Sequence, residues 1–241
     1  MLNQTLQIKL QQRLNKLASS DYDNIEPWAV CELFNKAQIS WCRRQLVGTN
    51  ILKQGDEESE RRIDDLEILL STRNLTMNPM KLYEESNLMP ANFFVDVYLA
   101  FKRLQVYAKQ DCCPDPRLMV IYLAEEANVI NYLTDDNKKP SFEWGETIAT
   151  IVGRRFRIYT NDEFSIDSAQ LMYYRQPRRI QIAGSVDPYV ITGTPVVTNV
   201  TCEFKDDIVE LLIDEAASIA AQDIENFPIA QATRQAAEQN N

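Results

Sequence analysis

Residues 147–176, TIATIVGRRFRIYTNDEFSIDSAQLMYYRQ, decide the reading of this chain. Phe156 and Ile158 alternate with Arg155, Arg157 and Tyr159, the two-residue period of a strand with one wet and one dry face. Gly153-Arg154, set between Val152 and Arg155, is a Gly-X pair suited to a type II′ hairpin turn. Asn161 and Asp162 turn the chain again. Phe164 to Tyr174 then run as a third strand, which stops before Pro177 because proline cannot donate to a ladder. The stretch predicts a three-stranded antiparallel meander.

Upstream, Phe93, Val95, Val97, Leu99 and Phe101 alternate as a strand does. The apolar parity shifts across Lys102 and Arg103 to Leu104 and Val106, which calls for a β-bulge or a break between two strands. A helix through Phe94, Val97, Phe101 and Leu104 is the alternative. Met119–Leu123 reads as a short buried strand, and Ala124–Leu133 as a short helix closed by Asp135, Asp136 and Asn137.

The two ends are helical. Leu2, Leu6, Leu10, Leu14 and Leu17 form one apolar stripe between Gln, Lys and Arg. Pro27 suits a first helical turn, followed by Val30, Leu33, Phe34, Ala37 and Trp41 on a helix that ends near Gly48. A third helix starts in Asp56, Glu57 and Glu58 and buries Ile63, Leu66, Leu69 and Leu70. After a Gly/Pro loop between Arg178 and Val200, Asp207 and Glu210 resemble a capping box. They open a helix with Ile208, Leu211, Leu212, Ala216, Ile219 and Ala220 on its apolar face, running to Pro228. Ala230 to Asn241 reads as a flexible tail. The expected fold class is α+β. It has a helical N-terminal region over residues 1–75 and a mainly β region with a short helix and an extended loop over 76–200. A long C-terminal helix with its flexible tail completes it over 201–241.

Composition narrows function. The chain has 241 residues, 25 Lys+Arg against 35 Asp+Glu, and no histidine. Its net charge of -10 repels nucleic acid and anionic membrane in bulk. The missing imidazole removes Ser-His-Asp and Cys-His catalysis and His-ligated zinc. No phosphate-cradling Gly-rich loop or nucleophile elbow occurs in the sequence. Cys31, Cys42, Cys112, Cys113 and Cys202 lack CxxC spacing and read as reduced thiols. Cys31 and Cys42 share a helix face but lie roughly 16 Å apart at ~1.5 Å per residue, too far to share a metal. The acidic pairs Asp64-Asp65, Asp135-Asp136 and Asp206-Asp207 read as caps and solvated faces. Glu84-Glu85 and Glu125-Glu126 have no spacing that joins them as a general acid and base. No apolar run approaches the roughly 18 residues of a membrane span. The expectation is a protein with no catalytic residues, cofactor or metal.

Charge is uneven along the chain. Between residues 138 and 179 eight basic residues face five acidic ones, whereas from Thr201 onward nine acidic residues face two basic ones. Solvated faces account for this most simply. The sharper expectation is head-to-tail association between a basic β-surface and the acidic last helix of the next subunit, through Arg154, Arg155, Arg178, Arg179, Asp207, Glu210, Asp214 and Glu215.

The order of features also carries a resemblance. Trp144-Gly145-Glu146, the hairpin IATIVGRRFRIYT, the strand LMYYRQPRRI, a Gly/Pro loop, CEF and the helix DDIVELLIDEAASIAAQDIENFPIAQ are similar to ring or head-to-tail connector proteins in the neck of tailed bacteriophages, crAss-like phages in particular. The likeness covers residues 90 to 230 and rests on arrangement, with no catalytic motif. It implies a virion structural protein made in the bacterial cytoplasm, about a dozen copies closing a ring. Its partners would be the portal protein and other neck or tail proteins, with genomic DNA passing through the lumen unbound and no membrane involved. A cytoplasmic adaptor or assembly chaperone without enzymatic activity is the alternative, and a metal-dependent hydrolase a distant third.

Overall fold

The computed structural model describes residues 1–15, 25–47, 64–89, 97–111, 113–185 and 198–223. Two compact units emerge: residues 70–175, and residues 1–69 together with 176–241. The helices are α1 (Asn3–Asn15), α2 (Pro27–Val47), α3 (Val129–Thr134) and α4 (Asp206–Asp223). The strands are β1 (Leu70–Leu75), β2 (Met77–Pro79), β3 (Tyr83–Ser86), β4 (Tyr98–Gln110), β5 (Cys113–Leu123), β6 (Glu146–Val152), β7 (Arg155–Tyr159) and β8 (Ser165–Arg175).

All eight strands belong to one sheet in the order β1-β8-β4-β5-β6-β7-β3-β2. Every pairing is antiparallel except β5 with β6, which run parallel from Val120↔Glu146 to Leu123↔Ala149. The end strands β1 and β2 are separated in sequence by Thr76 alone, so the chain steps there from one end of the sheet to the other. That step curls the sheet into a nearly closed barrel. Leu104, Val106, Phe156, Ile158, Leu171 and Tyr173 fill it, as the inward half of each alternation requires. The parity shift at Lys102 is a bulge, because the β4–β8 register slips between Phe101 and Arg103. β1 accompanies β8 only as far as Leu75↔Ala169. Farther along β8, the Ile166 N–H donates instead to Oε1 of Glu84 on β3, at 2.8 Å, so a side chain spans the seam.

In the other unit, Leu6, Leu10 and Leu14 are buried as their four-residue spacing requires. Both α1 and α2 pack on α4, and Trp41 meets Phe204 edge to face at 5.3 Å. Lys9 pairs with Glu210 and Arg13 with Asp214. The step is four residues on each helix, so α1 and α4 run parallel. Asn35 closes a two-way bond with Ile180, accepting from its N–H at 2.8 Å and donating to its carbonyl at 3.3 Å.

Several expectations are corrected. The fold class is not α+β built around a three-stranded meander with a long C-terminal helix. It is dominated by the mixed, nearly closed eight-stranded sheet, and among the described residues the last helix covers Asp206–Asp223. The meander strands β6, β7 and β8 exist, yet β8 leaves β7 and pairs with β1 and β4. The hairpin turn has positive φ at both Gly153 (56°) and Arg154 (65°), the type I′ pattern in place of II′. Met119–Leu123 is the end of an eleven-residue strand whose outer face is exposed. Leu70 begins β1 and ends no helix. The start of the third helix, Phe93, Val95, Cys112, the middle of the Gly/Pro loop and the C-terminal tail lie outside the described residues.

Candidate interaction surface

The loop between α3 and β6 is built to hold one side chain in solvent. Phe142 anchors it in a small core with Ala108, Met119 and Phe164, the two phenyl rings 6.2 Å apart. Nη1 of Arg117, on β5, donates to the carbonyls of Phe142 at 3.0 Å and Glu143 at 2.8 Å. Ser141 accepts from the Gly145 N–H at 3.0 Å, and the Gly145 carbonyl accepts from Val120 N–H at 2.7 Å, fixing the loop to β5. Gly145 is required here: its φ is +70°, and a Cβ would stand 3.2 Å from Arg117 Nε. Between these fixed points Trp144 is 77% exposed.

An apolar strip adjoins it. Leu118, Val120 and Tyr122 point outward from β5 by strand alternation, and Tyr107 lies opposite Leu118 on β4. All four are exposed, Val120 and Tyr122 by more than half. Asp115 and Glu143 are exposed and make no ion pair among the described residues, while Glu146 accepts a long 3.4 Å bond from the Tyr122 hydroxyl. The face combines large aromatic and aliphatic groups, and beside it the exposed Arg117 guanidinium and Glu143 leave a rim of both signs. Exposed Trp and Tyr side chains are of the kind enriched in protein interfaces. Reading Met119–Leu123 as a buried strand misses this face; its signal in the sequence is Trp144 before Gly145, beside the alternation of Leu118, Val120 and Tyr122.

The residues singled out for association are distributed differently. Arg154 sits in the β6–β7 turn and donates to the Met89 carbonyl at 2.9 Å. Arg155 pairs with Glu85 at 2.7 Å. Arg178 lies 3.9 Å from Glu203, and Arg179 is exposed. On α4, Glu210 and Asp214 face Lys9 and Arg13, and Glu215 accepts from Arg44 at 2.8 Å and from the Ser40 hydroxyl at 3.1 Å. Asp207 is exposed. The structure thus gathers Glu210, Asp214 and Glu215 against bases of their own unit, whereas Arg154 and Arg155 belong to the other unit and bond within it. Burial nevertheless holds the Asp214 carboxyl above its ordinary range, outweighing Arg13.

The two glutamate pairs do meet. Arg157 donates from Nε to Glu85 at 3.2 Å and from Nη1 to Glu126 at 3.0 Å, its guanidinium 5.2 Å from the Tyr83 ring centre. Hydrogen bonds from Arg155 and then Arg157 hold Glu85 below the usual carboxylate range. Two carboxylates tied to guanidinium groups on an outer face form an ion-pair network, one that pins the segment before α3 to β7. Cys31, Cys42 and Cys202 are buried free thiols, and burial pushes each one up. Among the described residues no three His, Cys, Asp or Glu side chains gather as metal ligands, and no helix is long and apolar enough to cross a membrane. No protein-family model matches the chain, and neither does any curated protein.

Proposed function

We propose that this chain is a structural subunit that works by associating with copies of itself and with other proteins, as a ring in the neck of a tailed phage that joins portal to tail and lines the DNA passage. The observation that carries the reading is the exposed β5 face with Trp144 clamped beside it. A contiguous aromatic face on fixed backbone loses little conformational freedom when it docks, and burying it gains roughly 25 cal/mol per Å² of apolar surface. The sequence resemblance supports the particular setting. A net charge of -10 suits a passage along which DNA slides without sticking. Such a subunit needs no catalytic residue, cofactor or metal.

Light scattering of the purified chain across concentration, with negative-stain images of any large species, tests this. The expected result is a closed ring, or a monomer that becomes a ring when portal protein is supplied. A chain that stays monomeric under both conditions and is missing from purified virions overturns the proposal.

A further inference from the structure

The β1–β8 ladder stops at Leu75↔Ala169, because the chain turns away there through Thr76 into β2. The first part of β8, Ser165 to Ser168, runs on past the end of β1, with β4 paired along its other side. What reaches it across the seam is a side chain: Oε1 of Glu84 on β3 accepts from the Ile166 N–H at 2.8 Å. Alternation puts Glu84 and Ser86 on the same side of β3, and both are buried. Ser86 does the same toward β7, its hydroxyl accepting from the Phe156 N–H at 2.8 Å and donating to the Asn87 carbonyl at 2.9 Å. Side chains thus stand in for backbone at both joints of β3, and only Glu84 can ionise. Opposite it are Ile158 on β7, Pro79 on β2 and Ile166 on β8, with Ala108 of β4 paired beyond Ile166. The titratable neighbours in sequence alternate to the other face, Glu85 with Arg155 and Arg157, Asp167 with Lys109, and Tyr83 against Tyr159. Burial accordingly holds the Glu84 carboxyl above its ordinary range, outweighing the bond from Ile166.

We propose that Glu84 is a proton-operated latch on the barrel: while its carboxyl is protonated β3 stays closed on β8, and when it ionises the two strands part at Ile166 and water reaches the carboxylate. A protonated carboxyl still accepts the Ile166 N–H through its carbonyl oxygen, so closure loses no hydrogen bond. A carboxylate with one N–H donor and apolar neighbours gains by moving into water, which closure denies it. β3 keeps its ladders with β7 and β2, and β8 its ladder with β4, so the motion is confined to the seam. Linkage gives the sign. The closed form holds the proton more tightly than the open form, in which Glu84 titrates as an ordinary glutamate. Closure is therefore complete at low pH, and opening grows as pH rises through the closed-form value. The latch lies wholly within the sheet unit and operates whether or not copies associate.

Amide hydrogen exchange followed by NMR on the full-length chain reads the seam at the residue concerned. The reference is Leu171 on the same strand, which is paired on both sides, with Arg73 of β1 and Leu104 of β4. With each rate divided by its intrinsic value, the protection of Ile166 relative to Leu171 should fall in the wild type between about pH 4 and about pH 8. The fall should keep step with the chemical shift of the Ile166 amide, which follows the charge on the carboxyl it donates to. Glu84→Gln retains an acceptor and cannot ionise, so its ratio should stay level over the same range. Glu85→Gln alters the opposite face of the same strand and should follow the wild type. A wild-type ratio that does not change with pH overturns the proposal, and this needs no variant to fold. A Glu84→Gln ratio that falls as the wild type's does overturns it as well, because the titrating group would then lie elsewhere.

Discussion

Glu84 is 6% exposed, and burial raises its carboxyl above the ordinary glutamate range despite the hydrogen bond from Ile166. A folded-state pKa above the unfolded one means that the stability linked to protonation is complete at low pH and fades as pH rises through the folded value. Glu84→Gln keeps an acceptor for Ile166 and cannot ionise. Its urea midpoint should match the wild type near pH 4 and exceed it progressively toward pH 7; parallel pH profiles would remove this account of the seam. Glu85 has the opposite sign, since arginine contacts lower it, so its contribution is present above the ordinary glutamate value and lost as pH falls below it. Gln38 is 1% exposed, and neither amide atom of its side chain has a partner among the described residues. Gln38→Leu should raise stability by about 1–2 kcal/mol, read from the denaturant midpoint, because an unpaired buried amide is replaced by an apolar group of similar size. None of these environments is written in the local sequence: a Glu-Glu pair looks the same whether one member is buried and the other bonded to arginine or both are solvated.

At the level of the element, the Arg117 fork and the αL conformation of Gly145 act together. Gly145→Ala should cost about 1–2 kcal/mol, from a left-handed φ with a Cβ pressed on Arg117, and should raise amide exchange from Ser141 to Val120. A substitution that left exchange unchanged would show the loop to be held some other way. Alternation made β7 legible, and the parity slip at Lys102 located a bulge. What alternation cannot supply is the neighbour. β5 pairs with β6 in parallel through a crossover containing α3, and β8 reaches β1 across nearly a hundred residues. Both pairings are long-range and set by no local turn. Leu118, Val120 and Tyr122 show the same limit, because an apolar side of a strand is identical in sequence whether it faces a core or a partner.

For the molecule as a whole, the helical unit depends on α4, against which both α1 and α2 are laid. Leu10 is fully buried there, and Leu10→Ala should destabilise this unit by about 2–5 kcal/mol. Thermal unfolding followed by helix signal should move while the tyrosine environment of the sheet is retained; a single merged transition shifting as one would show that the two units unfold together. The acidic residues of α4 looked in sequence like an unanswered charge. Their answers are Lys9, Arg13 and Arg44, two of them some two hundred positions away.

The pairing of Leu70 with Tyr174 places the first and last strands of the sheet unit side by side where the chain enters and leaves it. The whole barrel is thus a cassette inserted into the helical unit at a single doorway. Residues 70–175 could be exchanged for a short linker without stretching the host. Force pulling residues 69 and 176 apart would open β1 from β8 like a zipper, one rung at a time from Leu70↔Tyr174, and would not shear all six pairs together. A chain so wired yields early at its doorway under tension, while the barrel beyond keeps its shape.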